Sequence, residues 1–166
     1  MNKKYLSALV CGFGAAILTT IPGIESIACC LVVPVASGLA VGLYKKSSPD
    51  LFKVETGTSI LIGILTGIFA AFLASGFELI LTYITKTNDL VVAMPETEKL
   101  LKEMNLGPTA EESLEILRKM TREIQSDGFS FFYSFLITLA NLITYTIFGI
   151  LGGLLGAVIV NKRSGG

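Results

Sequence analysis

Four stretches of this chain, residues 5–21, 27–44, 59–84 and 129–160, hold a single Asp, Glu, Lys or Arg among them, Glu78. A helix rises about 1.5 Å per residue and a hydrocarbon core is about 30 Å thick, so each run matches one bilayer crossing. Backbone polar groups in lipid must be satisfied within their own segment, which makes such crossings helices. The first two runs are just long enough. The third and fourth are longer and are expected to tilt or project. The expected fold class is therefore an all-α membrane protein. Its frame is a four-transmembrane-helix bundle, one membrane domain over residues 1–166. An amphipathic helical hairpin, residues 85–128, is expected outside the cytoplasm between the third and fourth spans.

Composition narrows the field further. The 166 residues are 52% hydrophobic and 16% charged, where soluble domains carry about 25% charged residues. A soluble enzyme fold, a disulfide-rich module, a disordered chain and a nucleic-acid binder are all poor matches. There is no His, which removes the side chain that titrates nearest neutrality. Cys11, Cys29 and Cys30 all sit in apolar surroundings and read as small buried hydrophobes. Lys3 and Lys4 before the first run resemble the start of a signal peptide. No convincing small-residue cleavage site follows, Ser26-Ile27-Ala28-Cys29 resembles a lipoprotein site but lacks the usual Leu three residues before the Cys, and the run is read as a retained span. Ile21-Pro22-Gly23 stops the first helix and sets up a tight hairpin into the second.

Charge sets the expected orientation. Lys3, Lys4, Lys45, Lys46, Lys53, Lys162 and Arg163 flank the spans on one side, with only Asp50 and Glu55 against them. The segment 85–128 carries nine acids and six bases. Positive flanks stay inside, which predicts cytoplasmic termini and an outer 85–128 in a bacterial inner membrane. The Lys45, Lys46 and Lys53 cluster has two readings, contact with anionic lipid and setting this topology, and the second is preferred. Within the outer segment, Pro95 is expected to open a helix over 95–104, and Gly107-Pro108 to end it. Thr109 with Glu112 reads as a capping box for a second helix over 110–125. Leu114, Leu117, Thr121 and Ile124 form its apolar stripe. Phe129, Phe131, Phe132, Tyr133 and Phe135 mark an interface at the fourth span.

Small residues recur at helical spacing inside the runs. Gly38 and Gly42, Gly63 and Gly67, Gly149 and Gly153, and Gly152 and Gly156 are each four apart. Helices in lipid gain by close backbone approach, so these positions are expected to pack helix on helix. Glu78 and Asn141 are the polar side chains that stand out within the spans, a possible polar interior site. Pro34 frees a carbonyl and is a candidate kink.

No phosphate-cradling loop, paired-His metalloprotease motif or Ser–His arrangement is present. The catalytic, cofactor and metal expectations are accordingly none, and an enzyme is not expected. Four segments stand out together: Lys53-Val54-Glu55-Thr56-Gly57, Leu106-Gly107-Pro108-Thr109-Ala110-Glu111-Glu112, the Phe-rich entry to the fourth span and Asn161-Lys162-Arg163. In these, and in the layout of its first half, the chain resembles a family of uncharacterised four-helix integral membrane proteins, frequent in Bacteroidetes and catalogued only as a domain of unknown function. The resemblance implies fold and membrane location and lends no site residues. The expected function is a non-enzymatic packing, assembly or accessory component. Its partners would be the bilayer and either copies of itself or another membrane protein. The alternative is a small oligomeric channel or carrier with a path near Pro34, Glu78 and Asn141.

Overall fold

The computed structural model describes residues 3–21, 25–103 and 107–162. All six of its elements are helices: α1 (Lys3–Thr19), α2 (Glu25–Lys46), α3 (Thr56–Thr85), α4 (Asp89–Glu103), α5 (Pro108–Asp127) and α6 (Phe131–Lys162). No strand occurs among the described residues. Pro22, Gly23, Met104 and Arg163, and the side chains of Cys29 and Thr109, lie outside the description. Among the described residues, two helices, Thr56–Thr85 and Phe131–Lys162, are long and apolar enough to cross a membrane. α1 has 17 residues, about 26 Å of helix. α2 spreads Ala, Gly, Ser and one Pro among its larger apolar residues.

The chain divides into two compact units, Met1–Phe77 with Thr138–Gly166, and Glu78–Ile137. In the first unit, Lys4 Nζ donates to Thr58 Oγ1 at 3.3 Å and lies 5.8 Å from the centre of the Tyr44 ring. The start of α1 thus meets the end of α2 and the start of α3. The end of α6 joins them, because Asn161 bonds the backbone of Val54 just before α3. α1 therefore runs parallel to α3, and α2 parallel to α6. Lys3, Lys4, Lys45, Lys46, Lys53 and Lys162 all gather at this one end.

Glycine makes the packing of α6 possible on two sides. A Cβ on Gly63 would collide with the Gly149 carbonyl oxygen, one on Gly67 with the Tyr145 carbonyl, and one on Gly153 with the Ser59 carbonyl. This is an antiparallel ladder with α3. A Cβ on Gly152 would strike the Pro34 carbonyl, and one on Gly156 would come 2.6 Å from Gly38 Cα, a parallel contact with α2. Gly42 faces Val160 at an ordinary 3.9 Å. Pro34 sits inside α2 with its backbone seated on Gly152.

The first unit is small inside and large outside. Ala8, Ala15, Ala16, Ala40, Ala70 and Ala71, with Ser37, Ser59, Thr66 and Ser75, are buried. Leu31, Val35 and Leu39 on α2 and Ile143, Ile147, Leu151 and Leu155 on α6 are exposed. Several buried hydroxyls turn back onto their own helices, Thr66 Oγ1 to Ile62 O at 2.8 Å and Thr19 Oγ1 to Ala15 O at 3.0 Å, while Ser37 Oγ is buried without a hydrogen bond among the described residues. Such back-bonding satisfies the hydroxyl without a partner helix.

In the second unit, two sequence expectations need correction. α4 opens at Asp89, six residues before Pro95, and Pro95 lies inside it. Asn88 Oδ1 accepts the Val91 N–H at 3.0 Å and caps the start, so one orphan donor of the first turn is met there. α5 opens at Pro108 with Gly107 as its N-cap (φ 70°) and no side-chain cap bond. Thr109 is therefore already helical, and the Thr109–Glu112 box does not stand at the N-cap. Pro suits the first helical position because its missing N–H has no partner there in any case. Gly128 (φ 74°) closes α5 through its N–H to Ile124 O at 2.8 Å. Met94, Leu114, Met120 and Ile124 form the buried apolar face of this unit.

Candidate functional site

Polar side chains within long apolar helices are costly unless paired, so their partners show what they do. Asn141 on α6 is half-buried and donates through Nδ2 to Ser75 Oγ of α3 at 3.0 Å. Ser75 is buried. This bond ties the two helices beyond the Gly67–Tyr145 contact.

Glu78 belongs to the second unit. Its Oε1 accepts the Tyr133 hydroxyl at 2.6 Å, a charge-assisted length. Both side chains are half-buried. Glu78 and Asn141, paired in the sequence reading as one polar interior site, thus fall in different units with different partners. Pro34, the third member of the expected path, has its backbone against Gly152.

The second unit also carries a charged lattice on its helical hairpin. Arg118 Nε bonds Glu98 Oε1 at 2.6 Å across α4 and α5, and this carboxylate beside it raises the Arg118 pKa. Lys86, in the left-handed region at φ 52°, sends Nζ to the Ser126 carbonyl at 2.7 Å. Ser130 Oγ donates to Glu123 Oε2 at 2.6 Å. An open groove of about 760 Å³ runs beside Met94, Leu114, Glu115, Arg118 and Thr121. Among the described residues, no group of three or more His, Cys, Asp or Glu is placed to hold a metal ion.

Three structural partners escaped the sequence reading. Tyr133 was legible only as an interfacial aromatic, Asn88 only as a loop residue, and Asn161 only as part of a terminal motif. The Asn88-Asp89 pair before Leu90 and Val91 is an N-cap signal that a search for helix starts can find. Comparison with protein-family models, with curated proteins and with solved structures gives no match.

Proposed function

We propose that the chain is a non-enzymatic integral membrane protein whose α1, α2, α3 and α6 cross a bacterial inner membrane. Both termini are cytoplasmic, the segment 85–128 is outside, and the molecule serves as a packing, assembly or accessory component. The observation that carries this reading is the distribution in the first unit, where Ala, Gly, Ser and Thr make up most of the interior, Val33, Val41, Val54 and Ile62 aside, and Leu, Ile, Val and Phe line the outside. In water that distribution would be strongly unfavourable, because apolar area is left wet. In lipid, large apolar side chains belong outside and small ones belong where helices meet.

The glycine stripes are used within the unit, so they leave the case for a partner to α4 and α5. Those helices expose Val92, Leu100 and Ile116 among charged neighbours. A channel or carrier along Pro34, Glu78 and Asn141 has less support, because each is engaged by a neighbour.

The test uses photo-crosslinking residues at Val92, Ile116 and Leu151 in cells, with alkaline carbonate extraction. The expected result is a chain retained in the membrane pellet, protein adducts from positions 92 or 116, and none from 151. Release by carbonate overturns the membrane reading. Retention without any adduct from 92 or 116 overturns the partner reading. Single cysteines replacing Ser48 and Ser113 test the orientation. An impermeant thiol reagent is expected to label 113 and spare 48 in intact cells, and the reverse pattern inverts it.

A further inference from the structure

The linker between α2 and α3 combines two features that a water-facing turn does not need together. Phe52 is 74% exposed and Leu51 is 36% exposed, while Lys53 places Nζ 5.9 Å from the centre of the Phe52 ring. The linker is held rather than loose. Ser48 N–H bonds Lys45 O at 3.0 Å, Leu51 N–H bonds Ser48 O at 3.1 Å, and Asn161 fixes the backbone of Val54. Val54, buried at 3% exposure, anchors one side while Leu51 and Phe52 are presented outward. Around this tip stand the six lysines gathered at one end of the unit, with Asp50 and Glu55 the only acids of the linker.

We propose that this end of the unit is a binding surface for anionic phospholipid headgroups. Lys46 and Lys53 meet the phosphates, and Phe52 and Leu51 enter the interfacial layer beneath them. An aromatic side chain is favoured at the headgroup boundary. A basic residue there gains from the negative surface of the cytoplasmic leaflet. Lysine stems lie along apolar surface while their ammonium groups stay in the headgroup layer. An acidic protein partner would satisfy the lysines and leave Phe52 without an environment, so lipid fits both. The inference rests on the reading of the first unit as lipid-embedded.

The chain contains no Trp, so Phe52→Trp installs a single indole reporter at the linker tip. The purified protein is reconstituted in phosphatidylcholine vesicles doped with brominated phosphatidylcholine or with brominated phosphatidylglycerol. Ile147→Trp, on the exposed face of α6, serves as the lipid-facing control. Both indoles are expected to be quenched. At position 52, the anionic brominated lipid is expected to quench more strongly than the zwitterionic one at equal content. Lys46→Gln with Lys53→Gln should remove that excess, by up to about fivefold in relative affinity for each lysine. Equal quenching by the two lipids at position 52 overturns the headgroup assignment. Quenching at 147 with none at 52 overturns it in favour of water or a protein partner. No quenching at 147 brings down the membrane reading itself, and the lipid surface with it.

Discussion

Asn161 closes both arms of its side-chain amide on one residue. Its Oδ1 accepts the Val54 N–H and its Nδ2 donates to the Val54 carbonyl, each at 2.9 Å. The geometry copies one rung of a β-ladder with a side chain in place of the second strand. It links positions 107 apart in sequence and fixes the linker before α3 to the last turn of α6. Because Val54 is buried, its peptide groups have little water to fall back on. Asn161→Ala is expected to lower stability by about 1–3 kcal/mol, the penalty for leaving buried backbone groups short of partners. Asn161→Asp keeps the acceptor and loses the donor, and sets a carboxylate against the Val54 carbonyl. It should be no better than Ala. Thermal unfolding in mild detergent reads both, and an Asn161→Asp variant as stable as the parent would show that the clamp contributes nothing.

That bond also marks where sequence reasoning stopped. The apolar helices were legible because near-absence of charge over a span is a property of each segment by itself. The small-residue positions were legible for a similar reason, since Gly at four-residue spacing in an apolar helix has few other uses. The partners were not. Glu78 with Tyr133 and Asn161 with Val54 are 55 and 107 residues apart, and no local pattern announces such pairs. The helix starts failed differently. Pro95 and the Thr109–Glu112 box were strong signals in isolation, but neighbouring residues offered better starts.

The two corrected starts give a paired prediction. Asn88→Ala removes the side-chain acceptor that meets the Val91 N–H and should cost about 1 kcal/mol. Thr109→Ala should cost well under that, because the N-cap of α5 is Gly107. Gly107→Ala should cost more than Thr109→Ala, since φ 70° suits glycine and strains a side chain. Hydrogen exchange of the α4 and α5 amides separates these outcomes. Equal protection losses for Asn88→Ala and Thr109→Ala would return the cap to the sequence-based box.

The Glu78–Tyr133 pair is half-buried, with a 2.6 Å bond. Tyr133→Phe deletes the donor and leaves the carboxylate short of one bond. A loss of about 1.5–3 kcal/mol is expected for a hydrogen bond to a charged group. Glu78→Gln keeps an acceptor and should cost less. A double-mutant cycle measures the coupling directly. If the two losses simply add, the bond is no energetic link, and Glu78 is released for the polar role that a channel reading assigned to it.

The glycines offer the sharpest contrast, because the same Gly→Ala change has opposite expected signs at two places. At Gly63 a single Cβ would collide with the Gly149 carbonyl oxygen of α6, and at Gly149 with that of Gly63. Backbone cannot swing aside as a flexible side chain can, so the helices must separate along the ladder through Ser59 and Gly67. Overpacking of this kind costs about 1–3 kcal/mol. At Gly76, on the same helix as Gly63, nothing lies within 4 Å of the added Cβ. Alanine there removes only the helix penalty of glycine, up to about 1 kcal/mol. Gly63→Ala and Gly149→Ala should therefore lower the unfolding midpoint in detergent, and Gly76→Ala should hold or raise it. The Gly63 and Gly149 changes strike the same contact, so their effects together should be less than additive. A neutral Gly63→Ala would place α3 and α6 further apart than their backbones lie here. The support for a close-packed bundle built on small residues would then fall away.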